Sequence, residues 1–219
     1  MISQLKLSRA SKATYVTVLF ISSAFISYSQ SRYFAIKGGL NVSSVYDNNE
    51  KGYDTGSPKA ERTGLRLGYH IGVVTNFKLS EKWVIQPELV FSNQGYSARS
   101  SYKLRYNYNY LTLPILFKRQ YNKFFYHFGP QVSYLLLANR TYLGIEKKED
   151  LAERSRYFEV GLETGAGYML TKKISVDVRV NTGLFRIGGY QEIRNVVTQV
   201  SVFYVITKPI KNTEKPIAE

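Results

Sequence analysis

The 219-residue chain contains no cysteine. Disulfides, thiolate metal sites and a lipid-modified terminal cysteine are therefore not expected. Histidine is nearly absent, with only His70 and His127, and 16 acidic residues stand against 30 Lys and Arg, a formal charge of +14. Beyond the first thirty residues no apolar run approaches the roughly 20 residues that a membrane-spanning helix needs. The longest later uncharged stretch, 124–139, is broken by His127, Gly129, Pro130 and Gln131. Phosphate-binding loops, metal-ligand spacings and nucleophile elbows are also missing, so no catalytic residue, metal or cofactor is expected.

What the chain does contain is alternation. In 65–77, Leu65, Leu67, Tyr69, Ile71, Val73, Thr75 and Phe77 are interleaved with Arg66, Gly68, His70, Gly72, Val74 and Asn76. A period of two, with one face free of charge, marks strands that separate two environments. The pattern recurs at 33–45, 64–78, 82–96, 102–119, 124–137, 157–170, 174–187 and 195–206. Between these strands, 46–63 and 138–155 read as long polar loops, and 97–101 and 188–194 as shorter loops on the same side. The connections 79–81, 120–123 and 171–173 read as tight turns. Short turns at one end and longer loops at the other fit an eight-stranded antiparallel up-and-down transmembrane barrel.

The start of the chain supports export. Lys6, Arg9 and Lys12 precede an uncharged stretch with an apolar centre at 16–26, and Ser27 and Ser29 suit cleavage before Gln30. The expected organisation is a signal peptide at 1–29, a barrel at 30–206 and a polar periplasmic tail at 207–219. An exported basic protein meets anionic lipid or glycan before it meets nucleic acid. Nucleic acid is therefore not an expected partner, and outer-membrane lipid is. Lys78, Lys82, Lys118, Arg119, Lys123, Lys172, Lys173, Lys208, Lys211 and Lys215 would give the short-turn side and the tail a basic rim.

Alternation alone also fits a soluble lipocalin-like barrel, with the apolar face turned inward. Side-chain volume separates the two. The apolar face is bulky and holds only one glycine, Gly38, whereas the polar face holds Gly39, Gly68, Gly72, Gly129, Gly161, Gly165, Gly167 and Gly183. Eight strands enclose just enough room for their own side chains, so the small-residue face belongs inside and the bulky face against lipid. The interior would then hold Lys37, Arg66, Lys118 and Arg179 with Glu88, Glu159, Glu163 and Asp177. Buried charges need partners, so these eight read as a plugging network rather than a transport path.

Strand 102–119 changes phase. Tyr102, Leu104, Tyr106, Tyr108 and Tyr110 are even, while Leu111, Leu113, Ile115 and Phe117 are odd. Either a bulge near 109–111 resets the register, or 102–109 stands above the membrane; the second is favoured. A surface ladder of Tyr102, Lys103, Arg105, Tyr106 and Tyr108 could then bind glycan or protein, against the plainer reading of aromatic belt and hairpin packing. Pro87, Pro114 and Pro130 within strands imply bulges or missing ladder bonds. His70 and His127 point inward, where Glu88, Glu163 or Ser92 could pair with them, but they do not face lipid.

The segments FAIKGGLNVSS, GYHIGVVTNFKLSEKWVIQPELVFSNQGY, YNYLTLPILFK, HFGPQVSYLL, FEVGLETGAGYML and ISVDVRVNTGL cover most of 34–206. Together they resemble the PorT-like outer-membrane β-barrels of Gram-negative bacteria. That resemblance implies an outer-membrane site. Through the founding member it also implies an accessory role in protein secretion, with secretion-machinery or periplasmic proteins as partners. The chain departs from such barrels in following Tyr204-Val205-Ile206 with a polar tail instead of ending on an aromatic residue. The expected function is structural or interactive and non-enzymatic, with a lipid A-modifying enzyme as an alternative.

Overall fold

The computed structural model describes residues 33–47, 62–99, 103–143, 147–151, 157–184 and 193–206. The expected signal peptide and the tail from 207 onward lie outside them, as does the expected cleavage site. The barrel belongs to the second of two compact units, Arg32–Glu219. Its strands are β1 (Tyr33–Asp47), β2 (Arg62–Gly64), β3 (Arg66–Lys78), β4 (Trp83–Arg99), β5 (Lys103–Tyr121), β6 (Phe124–Leu143), β7 (Lys147–Asp150), β8 (Phe158–Met169), β9 (Ile174–Gly183) and β10 (Ile193–Val205).

Every pairing is antiparallel, and β1 closes the cycle against β10, with Ala35 opposite Val205 and Val45 opposite Asn195. β2 continues β3 along β4, and β7 pairs only with β6, so the wall has eight strands. Closure leaves the eight-stranded wall without an unpaired edge, which satisfies the backbone wherever water is absent. Among the described residues no helix is long and apolar enough to cross a membrane; the strands do the crossing.

The faces follow from side-chain size. Leu40, Leu67, Ile71, Phe128, Leu162, Val178 and Val200 point outward and are exposed. On β9 the outward positions run Ile174, Val176, Val178, Val180, Thr182. From Ile174 to Thr182 these positions span roughly 21 Å of height for a strand tilted about 40°, close to the apolar band of about 25 Å expected of such barrels. The glycines sort as expected. A Cβ on Gly38 would meet nothing nearer than 3.7 Å, whereas one on Gly165 would lie 2.7 Å from Arg179 Cβ and 2.8 Å from His127 Cε1.

The turns at one end are tight. Asn122 adopts a left-handed φ of 52° in the two-residue connection between β5 and β6, as such hairpins require of their first residue. Thr171 Oγ1 accepts hydrogen bonds from the backbone N–H groups of Lys173 and Ile174. Chain entry at Tyr33 and exit at Val205 fall at this same end.

Three sequence expectations need correction. First, 138–155 is not all loop: β6 continues to Leu143, and β7 folds back on it, pairing Asn139 with Asp150. Second, 97–101 is shorter than expected, because β4 runs to Arg99 and β5 begins at Lys103. Third, β5 never changes phase. Leu104, Tyr108, Tyr110, Thr112, Leu116 and Lys118 are all buried. The bulge falls on the neighbouring strand, where Asn109 faces Leu137 and Tyr110 faces Leu135, leaving Leu136 without an opposite number.

What changes at Tyr110 is the polarity of both faces. On the short-turn side the outer face is apolar and the inner face polar. On the long-loop side Asn109, Asn107 and exposed Arg105 lie outside, and Tyr110, Tyr108 and Leu104 lie inside. There the barrel is built as a soluble protein, with an apolar core of Val45, Tyr96, Ala98, Leu104, Tyr108, Leu135, Ala138 and Leu151. The prolines cause no shift of register. β4–β5 pairing lapses between Pro87–Ile115 and Val90–Thr112, then resumes in step, so the missing donors cost ladder bonds and nothing more.

Candidate functional site, the filled lumen

Charge is concentrated at mid-height. Arg179 on β9 donates from Nη1 to Glu163 and to Glu88 Oε2, the latter at 3.1 Å, and from Nη2 to Asp177. Lys37 on β1 reaches the same Glu88 oxygen at 2.6 Å. Glu88 Oε1 accepts from Gln86 at 2.7 Å, and Gln86 Oε1 accepts from Lys118 at 3.2 Å. Three cations thereby face three carboxylates drawn from five strands. The floor beneath is aromatic: Lys37 and Arg179 lie 5.7 and 5.6 Å from the Phe203 ring, and Lys118 lies 3.8 Å from Phe125. Each cation thus has both an acceptor and a π face, which lowers the cost of burying it.

Of the eight interior charges expected, five meet directly and Lys118 joins them through Gln86. Glu159 stands apart, nearer the long-loop end, beside Tyr110 and 3.4 Å from Asn195 Nδ2. Arg66 also stands apart. It donates to the Gln94 carbonyl at 2.6 Å and to Asn93 Oδ1 at 2.9 Å near the outer rim. A one-residue offset accounts for this placement: Gly64 faces Ser97 while β3 pairs His70 with Ser92, and Gly95 between them takes φ +151°.

Above the charges lies a hydrogen-bond chain of which the sequence singled out His70 and Ser92 but not Asn41 or Ser201. His70 Nε2 is 3.0 Å from Ser201 Oγ, and His70 Nδ1 is 2.7 Å from Asn41 Oδ1. Asn41 Nδ2 donates onward to Ser92 at 3.0 Å. Hydroxyl, imidazole and amide stand in the order of a nucleophile, base and orienting group. Yet Ser201 and Asn41 are 0% exposed, and the neighbouring cavity, between Ser92, Gln131, Glu163 and Gln199, measures about 10 Å³. That is room for about one water molecule. His127 lies 3.3 Å from Asp177 rather than from a serine.

The expected surface ladder divides by parity. Tyr108 is only 6% exposed and faces the interior; Tyr106 is half-buried and stacks on Tyr96 at 4.4 Å. Both are even-numbered on a strand whose even face is the core. Tyr102 lies outside the described residues. Lys103 and Arg105 hold odd positions of β5, and Arg105 is exposed. At the short-turn end Trp83 makes edge contacts with Tyr126 and Phe128, and Phe124 packs on Tyr168 at 4.8 Å. Of the expected basic rim, Lys78, Lys82, Lys123, Lys172 and Lys173 are exposed there, while Lys118 is inside.

Comparison with known proteins agrees with this architecture. Neisserial surface protein A superposes with a TM-score of 0.53 at 9% identity, over 79% of this chain and 97% of that one. The attachment invasion locus protein Ail of Yersinia pestis gives 0.45 at 10% identity, over 80% and 99%. OprG of Pseudomonas aeruginosa gives 0.42 at 15%, over 81% and 97%. No curated protein sequence matches significantly. The family described as outer membrane protein beta-barrel domain matches residues 25–188, three quarters of the chain. An eight-stranded closed wall, an apolar exterior and that match lead to one conclusion: the chain belongs to the outer membrane protein beta-barrel domain family and resides in the outer membrane.

Proposed function

We propose that the protein is a non-enzymatic outer-membrane anchor that carries a polar β-extension at the cell surface, with both termini periplasmic. The observation that carries this reading is the filled lumen. Charges at mid-height, amides above them and a tyrosine core at the long-loop end fill it among the described residues, and the cavity between Ser92, Gln131, Glu163 and Gln199 measures about 10 Å³. Neither a solute path nor a substrate site fits that space. The orientation is supported by the turns, since short connections face the periplasm in such barrels.

Purified protein in planar bilayers should show no steady conductance, and a stable open pore would overturn the sealed-anchor reading. Because the chain has no native cysteine, orientation is directly testable. Lys148→Cys should react with an impermeant maleimide on intact cells, and Lys172→Cys should react only after the outer membrane is opened. Unchanged lipid A mass spectra on deletion of the gene would set aside the enzymatic alternative. An accessory role in protein secretion rests on the PorT-like segments and on the exposed lysines of the short-turn end. Its test is detergent pull-down with wild-type protein against a Lys172→Gln/Lys173→Gln variant.

A further inference from the structure

Glu159 is the lumen carboxyl that no cation meets. Glu88 holds Lys37 and Arg179, and Arg179 also serves Glu163 and Asp177. Glu159 is just as enclosed, at 8% exposure. Among the described residues its partners are the Asn195 amide, with Nδ2 3.4 Å from Oε2, and the Tyr110 hydroxyl.

Four strands surround it. β5 supplies Tyr110 and β10 supplies Asn195. β6 sets Ser133 directly opposite Glu159, but the Ser133 hydroxyl is paired with that of Thr112 at 3.0 Å. β9 offers the bare backbone of Gly183, where a Cβ would stand 2.1 Å from Glu159 Oε1. Tyr110 is the one titratable side chain among these groups, and a tyrosine is neutral below about pH 10. Hydrogen-bond donors are short as well. An ionised carboxylate only accepts, and Asn195 Oδ1, on a residue 2% exposed, has no hydrogen-bond partner. A buried charge without a counter-charge costs far more than a neutral acid, which also brings an O–H to donate. With the Asn195 amide turned over, that O–H reaches Oδ1 and gives it the donor it lacks.

We infer that Glu159 is a proton-binding site: the folded barrel carries it as the neutral acid, hydrogen-bonded to Asn195 beneath Tyr110. Tyr110 belongs to the tyrosine core and lies 6.4 Å from Tyr108. Ionising Glu159 therefore sets an uncompensated charge under the core of the long-loop end. At neutral pH the same side chain is ionised in the unfolded chain, so folding takes up one proton. The state that binds more protons gains as pH falls. Acid thus tightens this end of the barrel and base loosens it, whichever way the barrel faces.

The test uses full-length protein folded in phospholipid vesicles. At about pH 7 the infrared spectrum of wild type should contain the carbonyl stretch of a protonated carboxyl. Glu159→Gln should lack that band, and Glu81→Gln, at an exposed turn acid, should keep it. No such band in wild type, or a band that survives Glu159→Gln, overturns the inference. Urea unfolding supplies the second reading. The ratio of the wild-type to the Glu159→Gln unfolding constant should fall on the order of tenfold or more between about pH 8 and about pH 5. A ratio that ignores pH overturns proton uptake. The series is repeated in sodium, potassium and choline chloride at equal ionic strength. A ratio that follows sodium or potassium instead of pH assigns a carboxylate with a bound cation, and the proton site falls. If Glu159→Gln does not fold, Glu159→Asp keeps the acid and should shift the infrared band; an unshifted band places the proton elsewhere and overturns the assignment.

Discussion

Arg179 is the residue on which the lumen converges. It is 1% exposed and serves Glu88, Glu163 and Asp177 at once. Replacing it with Met would leave three buried carboxylates with Lys37 as the remaining cation in direct contact, on Glu88. Breaking a buried ion network from one side typically costs about 3–5 kcal/mol. Arg179→Met is therefore expected to lose that much in urea unfolding from phospholipid vesicles. Lys37→Met should lose clearly less, because Glu88 keeps Arg179. Equal losses would mean that the two cations contribute alike and that the network does not converge on Arg179. Gly165 belongs to the same account: its missing Cβ is the space that Arg179 and His127 occupy.

At the level of elements, β5 and β6 combine two constructions in one hairpin. Their short-turn halves are membrane strands, and their long-loop halves wrap the tyrosine core. The unmatched Leu136 reconciles them, because one extra residue on β6 turns Ala138 inward after Leu135. Tyr108 sits in that core, 6.4 Å from both Tyr96 and Tyr110. Tyr108→Ala should leave insertion intact and cost about 3–5 kcal/mol, as other buried aromatic truncations do. Limited proteolysis should then cut the β6–β7 hairpin sooner than in wild type, with the membrane half still protected. A variant that fails to insert at all would show that the two halves fold as one cooperative unit.

Across the whole molecule, depth sets what a charge costs. Val178 lies 52% exposed near the middle of the outward face of β9, while Asn107 lies on the outer wall beyond Leu111. Val178→Arg should destabilise the barrel in vesicles by about 2–4 kcal/mol, and Asn107→Arg by about 0–1 kcal/mol. Comparable costs at the two sites would place the membrane boundary elsewhere on β5.

The sequence alone determined the class, the strand count and the direction of the two faces. A strict period of two has only two sides, and in a narrow barrel the side rich in glycine must be the inside. It also picked out seven of the eight charges it placed inside, since a Lys, Arg, Asp or Glu on the small-residue face of a strand such as β9 has nowhere else to go; Arg66, past a local offset of β2 and β3 against β4, is half-buried near the outer rim. Tertiary structure decided which of those charges meet, because neighbours in the lumen come from strands far apart in the chain: Lys37 and Glu88 touch across 51 positions, and Arg179 and Glu88 across 91. It decided equally that the tyrosines of β5 are core. A change of apolar phase along one strand has two causes, a shift of register or an exchange of the media on either side. Only the pairing of β5 with β6 and the packing of Tyr96 on Tyr106 distinguish the second from the first.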